Sequence, residues 1–299
     1  MLEISRQIER GLLVCPETHQ RLRAHGAALV SEDGRFRYEL RRGVPVFINR
    51  ESQQQYLSEE RGAMASEYGD LKSVNSKRPR LPRLIWRLLG LGLDHRSSEC
   101  ARAVSEAMGR QREDALCIAV GGGPTRHHTK LVNVNIDSFA NVDVVADAYR
   151  LPYADGSVDF VFCEAVLEHL EFPETAVREM YRVIAPGGEV FCATPFLQVY
   201  HGYPAHFQNF TLLGHERLFA RQGFSLLSSG LCVGPTFMLT DIVGGYISLL
   251  PLPGAMRRIF STGFGVLSLV VRRLDRKLNR IPESVRLAST TYVHARKDK

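Results

Sequence analysis

Apolar residues along this chain first recur at helical spacing and then gather into short runs of strand character. Leu2, Ile4 and Ile8 predict a short N-terminal helix. The following stretch, to residue 48, reads as short strands broken at "CPETH", "SEDGR" and "RRGVP", with Asp33-Gly34 and Gly43 as turn signals. Residues 51–114 are polar and helical in parts, and "SSECARAVSEAMGRQRED" sets Cys100, Ala101, Val104 and Met108 on one helical face. Strand-like runs at 116–120, 132–136, 158–163, 189–193 and 224–231 then alternate with helices. One helix is expected over 175–184, with Pro173 near its start, Ala176, Val177, Met180, Val183 and Ile184 on one face, and "APGG" as its stop. Another is expected over 211–222, with Thr211 as N-cap. Such alternation is the pattern of a parallel sheet in an α/β fold. Residues 232–283 form an apolar-basic insertion, and "VRLASTTYVHARK" closes the chain as a strand. The expected units are 1–50, a helical linker at 51–114, and a main domain at 115–299 carrying the insertion.

Composition is that of a globular protein, 44% hydrophobic and 23% charged over 299 residues. The net charge of +6 is modest, but its distribution is uneven. Residues 77–96 and 257–280 interleave arginines and lysines with Leu, Ile, Val, Phe or Trp. That mixture suits an anionic membrane surface better than a nucleic-acid groove, and equally suits a solvated basic face over a core. The apolar run at 259–271 falls well short of the about 20 residues a spanning helix needs, so no transmembrane segment is expected. The N-terminus lacks the apolar core of a secretory signal. Six cysteines without a C-x-x-C pair, three of them in apolar runs, suit a reducing compartment and a cytoplasmic protein.

The sharpest local feature is "ALCIAVGGGPTRHHTKLVNVNID", an apolar run, three glycines, and a second apolar run ending in an acid. A dinucleotide fingerprint would place a third glycine at Arg126, so a nicotinamide cofactor is disfavoured. Gly121, Gly122 and Gly123 still let a backbone approach a ligand closely, since no Cβ obstructs it. Asp137 ends the second strand, where a carboxylate can accept hydrogen bonds from both hydroxyls of a ribose. Asp147 precedes a Leu-Pro turn, and Glu164 ends the next strand. In an open α/β sheet all of these gather at the carboxyl ends of the strands, where ligands bind.

Those residues resemble the class I S-adenosylmethionine-dependent methyltransferases, in particular the methyltransferase type 11-like branch. "GGGP", "NID", "DAYRLPYADGSVDFVFCEAVLEHL" and "REMYRVIAPGGEVFCATP" carry the likeness over about residues 115–225. The resemblance implies a Rossmann-like, mostly parallel sheet with an antiparallel last strand, and S-adenosylmethionine as cofactor. It implies that Asp137 holds the ribose, that Asp147 and Ala148 line the adenine, that Gly121 and Gly123 pack near the methionine part, and that Glu164 and Ala165 border the sulfonium. One departure stands out. The family usually has an acid two residues before the first glycine, and here that position is Ala119. Residues 1–50 resemble a small zinc-ribbon-like domain of the Trm112-like family without its zinc ligands, since only Cys15 and His19 stand where four would be needed.

"TPFLQVYHGYPAHFQNFT" should face the substrate mouth, with His201, Tyr203, His206 and Phe207. His201 or His206 is the candidate general base. His169 reads as structural, and His127-His128 as lying over the ligand edge or in solvent. No H-x-x-x-H or carboxylate cluster suggests a metal. The acceptor expected is a small or a lipid- or glycan-linked molecule, and the insertion would act as lid, homodimer face or membrane-surface patch. No nucleic-acid partner is expected, there being neither an N/D-P-P-Y motif nor a stacking platform. The alternative is a catalytically silent relative that binds or regulates a partner.

Overall fold

The computed structural model describes residues 3–48, 96–124, 126–201 and 205–299. Leu2, Tyr203 and the basic stretch 77–95 lie outside them. A short helix α1 (Ile4–Glu9) leads into an antiparallel meander of β1 (Leu22–His25), β2 (Ala28–Ser31), β3 (Arg37–Arg41) and β4 (Val44–Val46). Helix α2 (Ser98–Arg110) then precedes β5 (Cys117–Val120), β6 (Leu131–Asn135), β7 (Val144–Val145) and β8 (Val158–Glu164). Next come α3 (Pro173–Val183), β9 (Ile184–Pro195), α4 (Leu212–Ala220) and β10 (Phe224–Val233). The insertion holds α5 (Pro235–Leu249), α6 (Gly254–Val271) and the short α7 (Asp275–Leu278), and β11 (Thr290–Lys297) ends the chain.

The strands form a single sheet in the order β1-β2-β3-β4-β7-β6-β5-β8-β9-β11-β10. From β4 to β9 every pairing is parallel, and β11 runs antiparallel to both β9 and β10. This is the α/β sheet expected from the pattern, with the antiparallel last strand that the resemblance implies. The N-terminal meander does not stand apart from it. Val46 pairs with Val145 across β4 and β7, Val14 N–H donates to Pro152 O at 3.0 Å, and Leu13, Cys15, Leu22, Leu29 and Phe47 share one core with the central strands. Cys15 is fully buried with its thiol 3.1 Å from the Tyr38 hydroxyl, whereas His19 is exposed and reaches toward Asp155.

Strand alternation separates the two faces. Ile118, Val120, Val161, Cys163, Val190 and Cys192 look into the core beneath α3 and α4. Cys117, Ala119, Phe160, Phe162, Phe191 and Ala193 look toward α2, which buries Cys100, Ala107 and Met108 there. On that face Phe162, Phe191 and Tyr292 stack at 5.6 Å spacings across three strands. Ser97 caps α2 by accepting from Cys100 N–H, and Thr211 caps α4 by accepting from Gly214 N–H.

Within the central sheet, two details differ from the sequence expectation. β9 starts at Ile184 rather than near 189, because α3 turns directly into extended backbone and "APGG" loops out between Val158↔Ile184 and Phe160↔Glu189. Gly188 sits there with any Cβ only 2.9 Å from the carbonyls of Ala185 and Asp159, which excludes a side chain. The other is β7, too short for a period to reveal and held by its neighbours β4 and β6.

His215 on α4 is completely buried, and burial alone pushes its pKa down from 6.5 to about 3. Its folded pKa lies below the unfolded value, so protonation favours unfolding. The stability is complete above about pH 6.5 and declines as pH falls through 6.5 toward 3. Thermal unfolding followed from pH 7.5 to 4.5 should show this decline, and His215→Phe, whose ring suits the packing on Phe210 and Phe219, should flatten it.

Candidate functional site

The site is built at the carboxyl edge of β5, β6, β7 and β8. β5 pairs with β6 on one side and β8 on the other, so Gly121, the residues after Asn135 and Glu164 leave the sheet side by side. β7 extends the edge, and Ala146 N–H donates to Asn135 O at 3.0 Å just before Asp147. Gly121 has φ +71°, and a Cβ there would fall 2.2 Å from Val166 Cγ2. A Cβ on Gly122 would fall 2.3 Å from Asn133 Oδ1. Gly123 has φ +58°, and nothing lies within 4 Å of the place a Cβ would take, so this glycine opens onto free space. Two of the three glycines are therefore demanded by the protein's own packing, and the third leaves room for a ligand.

No helix follows the glycines among the described residues between Val120 and Leu131. Side chains replace it. In "VNVN", Val132 and Val134 face the core while the alternate positions Asn133 and Asn135 face the glycine loop. Asn133, buried, donates through Nδ2 to Gly123 O and to Asn141 O, each at 3.0 Å. Asn135 accepts from Gly123 N–H at 3.2 Å through Oδ1 and donates to Asp137 O at 3.0 Å. Arg126 pairs bidentately with Asp143 at 2.9 Å and donates to the carbonyls of Leu131 and Asn141. The residue that breaks the dinucleotide fingerprint is thus an anchor of the loop.

Asp137 lies in the bend just after β6 and is half-buried. Asp147 accepts from Tyr149 N–H at 2.9 Å, and burial raises its pKa above the usual carboxylate value. Ala148 is half-buried against the main core. The loop carrying both is held from behind. Arg182 donates to the carbonyls of Leu151 and Tyr153 and pairs with Glu179 and Asp155, while Arg150 pairs with Glu17 of the N-terminal unit.

Glu164 is half-buried and paired. Arg96 takes it bidentately, at 3.2 and 2.5 Å, and His127 Nδ1 lies 3.7 Å away. His127 packs on Phe162, and burial lowers its pKa. His128 accepts from Lys130 N–H at the surface. Ala165 adopts φ +55°, a left-handed backbone unusual for alanine, at the strand end itself. Ala119 is buried between Asn133 and Phe162 in the register of the sheet.

The segment after β9 is stitched onto the short 3-10 turn Leu167–His169. Phe207 N–H donates to Glu168 O at 2.8 Å, and Gln208 donates to Leu170 O. This brings His201 and His206 together with Glu168 and His169. His206 uses both ring nitrogens, accepting from His201 N–H at Nδ1 and donating from Nε2 to Asn209 Oδ1 at 2.7 Å, and burial lowers its pKa. His201 keeps Nε2 directed at Glu168, whose charge raises the imidazole's pKa. Asp241 of α5 adds its charge from the insertion side. Glu168, Asn133 and Asn135 were not anticipated from sequence; polar residues alternating inside the apolar strand 131–135 were the available signal.

Comparison with known proteins bears on this edge directly. Residues 123–192 match the family model described as a methyltransferase domain. The match supports a methyltransferase domain in this stretch. Over 94 residues the chain is 31% identical to the ubiquinone biosynthesis O-methyltransferase of Pseudomonas aeruginosa, covering 30% of this chain and 39% of that one. Over 62 residues it is 37% identical to the malonyl-[acyl-carrier protein] O-methyltransferase of Hahella chejuensis, covering 21% and 22%. These matches span well under two thirds of either relative. Among solved structures, phosphoethanolamine N-methyltransferase 2 of Haemonchus contortus in complex with S-adenosyl-L-methionine aligns over 67% of this chain and 52% of that one, at 15% identity and a TM-score of 0.41.

The glycines separate packing from binding. Gly121→Ala should cost more than the about 1–2 kcal/mol of a left-handed alanine, because its methyl also meets Val166. Gly123→Ala should cost only that backbone amount and should instead weaken S-adenosylmethionine binding. Chemical denaturation and calorimetric titration of the two variants read these outcomes separately.

Proposed function

We propose that this chain is an S-adenosylmethionine-dependent methyltransferase acting on a small-molecule or a lipid- or glycan-linked acceptor. The observation that carries the reading is the edge itself: an open glycine at 123, held by two asparagine amides, between acids at neighbouring strand ends. Asp137 would hold the ribose hydroxyls, Asp147 and Ala148 the adenine side, and Gly121, Gly122 and Gly123 the path of the methionine part. Glu164 and Ala165 would border the sulfonium. The bound cofactor supplies an electrophilic methyl group. The protein's share is to align the acceptor in line with it and to keep water away, which orientation alone can make worth several kcal/mol. His201, with Nε2 not hydrogen-bonded, is the better placed of the two mouth histidines to act on an acceptor proton; His206 supports the loop.

A second reading is favoured by specific observations. By the resemblance, Ala119 stands where the family usually has an acid, and Arg96 closes on Glu164. A silent, partner-binding protein would show both. Calorimetry with S-adenosylmethionine and S-adenosylhomocysteine decides between them. The active reading expects micromolar binding that Asp137→Ala weakens at least tenfold, since a charge-assisted hydrogen bond is worth about 1.5–3 kcal/mol. Absence of binding by the wild-type protein transfers the weight to the partner-binding role.

The insertion supports a surface-bound setting at the cytoplasmic side of a membrane. α5 and α6 pack on each other, yet Leu239, Tyr246, Leu249, Ile259, Phe260 and Leu267 remain exposed, with Arg257 and Arg258 near the hairpin tip. Neither helix is long and apolar enough to cross a membrane among the described residues. Asp275 fixes the hairpin's base by accepting from Thr236 and Phe237 N–H at 2.8 and 3.0 Å, and Arg272 lies 4.2 Å over the Phe237 ring. An apolar face beside cations is what an interfacial helix needs. The six free, buried thiols agree with a reducing compartment. Residues 1–50 read as a Trm112-like unit without metal, fused to the sheet it supports.

Sedimentation with phosphatidylglycerol vesicles should carry down the protein, phosphatidylcholine vesicles should carry less, and Ile259→Asp with Phe260→Asp should remain in solution. If neither vesicle binds and light scattering shows a dimer that the same double variant dissociates, the face is a homodimer interface.

A further inference from the structure

The fully buried carboxylate of Glu168 is an electrostatic problem that the described residues leave open. Its Oε2 receives only a long hydrogen bond from Thr194, at 3.4 Å, and its Oε1 receives none. Two imidazole nitrogens face Oε1, Nε2 of His169 and Nε2 of His201, each at 3.8 Å. That separation is too long for a hydrogen bond.

The tautomers follow from the other nitrogens. His169 Nδ1 lies against the carbonyl of Ala205, and His201 Nδ1 lies 3.1 Å from the carbonyl of Val199. A carbonyl only accepts, so both Nδ1 atoms carry the proton and donate. In the neutral rings both Nε2 atoms then present lone pairs, and they present them toward a carboxylate oxygen. Three electron-rich atoms facing one point repel one another unless a positive charge lies between them. All three lie within 4.8 Å of one another. Imidazoles held through Nδ1–H to backbone carbonyls, with Nε2 pointing inward, are in the arrangement by which proteins orient histidine ligands.

We propose that Glu168, His169 and His201 form a binding site for a borderline divalent cation of the zinc, cobalt or manganese kind, at the mouth beside the methyl-transfer edge. Two imidazoles and one carboxylate suit such metals better than the all-oxygen preference of magnesium or calcium. Tetrahedral coordination at about 2.0–2.2 Å sets ligands about 3.4 Å apart, so the two carboxylate–imidazole edges close by well under an ångström from 3.8 Å, and the imidazole–imidazole edge, within 4.8 Å, closes by rotation of His201 on the half-exposed rim. His201 stands on the half-exposed rim, and its backbone N–H is fixed by His206, so the open coordination positions face the mouth. An oxygen of the acceptor, as hydroxyl or phosphate, is the ligand class that would occupy them. Sequence spacing gave no sign of this, because position 201 reaches 168 and 169 only through the stitching of the loop after β9. The inference stands on ligand atoms alone and is independent of cofactor binding; with a metal on its Nε2, His201 serves as a ligand in place of the acceptor's base.

The test uses the full chain stripped with EDTA and titrated with Co²⁺ under visible absorption and with Zn²⁺ by calorimetry, without acceptor or S-adenosylmethionine. A single saturable site should appear, its cobalt absorption bands abolished by competing Zn²⁺. Glu168→Gln and His201→Ala should each weaken binding at least about tenfold. His201→Ala, at the rim, keeps the test meaningful if the buried Glu168→Gln fails to fold. A wild-type protein that binds no metal, or binds it equally well after His201→Ala, overturns the proposal and leaves a shared proton as the charge in the cluster. Metal binding without S-adenosylmethionine binding would uphold the site and defeat the methyl-transfer reading; the reverse pattern would do the opposite.

Discussion

The candidate site depends on one constraint above the others: the glycine loop must be held open without a helix behind it. Asn133 and Asn135 meet it. They clasp the N–H and C=O of Gly123 and tie the loop to Asn141 and Asp137, while Arg126 and Asp143 lock the far side. A buried amide left unpaired is costly, and these partners take the Nδ2 of both asparagines and the Oδ1 of Asn135, while Asn133 Oδ1 packs over Gly122. The same contacts determine which glycines are obligatory. Gly122 must be glycine because Asn133 lies over it, and Gly121 because Val166 does.

The neighbouring loops are held by equally local devices. Arg182 collects two carbonyls and two carboxylates and thereby sets the segment that carries Asp147 and Ala148. The N-terminal unit braces that segment from outside through Val14, Leu12 and Glu17. Its four strands extend the sheet by pairing at Val46, so the unit adds support to the adenine-side loop as well as an edge to the fold. On the opposite side, the loop after β9 is sewn to the turn at 167–169, and the insertion brings Asp241 toward His201. Binding edge and mouth are thus shaped by segments distant in sequence.

Much of this architecture was legible beforehand. The strands at 117–120, 131–135 and 158–164 and the helices around Met180 and Leu218 declared themselves through continuous apolar runs or helical periodicity, because burial on one or both faces requires such patterns. The caps at Ser97 and Thr211 obey local rules, although only Thr211 was anticipated. The glycines and the acids at strand ends announced a nucleotide-type edge, since strand direction alone places them together. β7 escaped because two residues carry no period, and "APGG" read as a stop although the sheet absorbs it as a bulge.

The sequence by itself determined the order of the longer strands and of the helices α2, α3 and α4, and the residue types at the carboxyl edge, because these follow from periodicity and backbone allowance within a few residues. Only the tertiary structure decided which charges meet. Arg96 reaches Glu164 across 68 residues, the N-terminal meander joins β7 across the sheet, and His201 comes to Glu168 and His169 through a folded loop. Such pairings depend on distances through space that no spacing along the chain encodes, and they set whether an acid is open, paired or waiting for a cation.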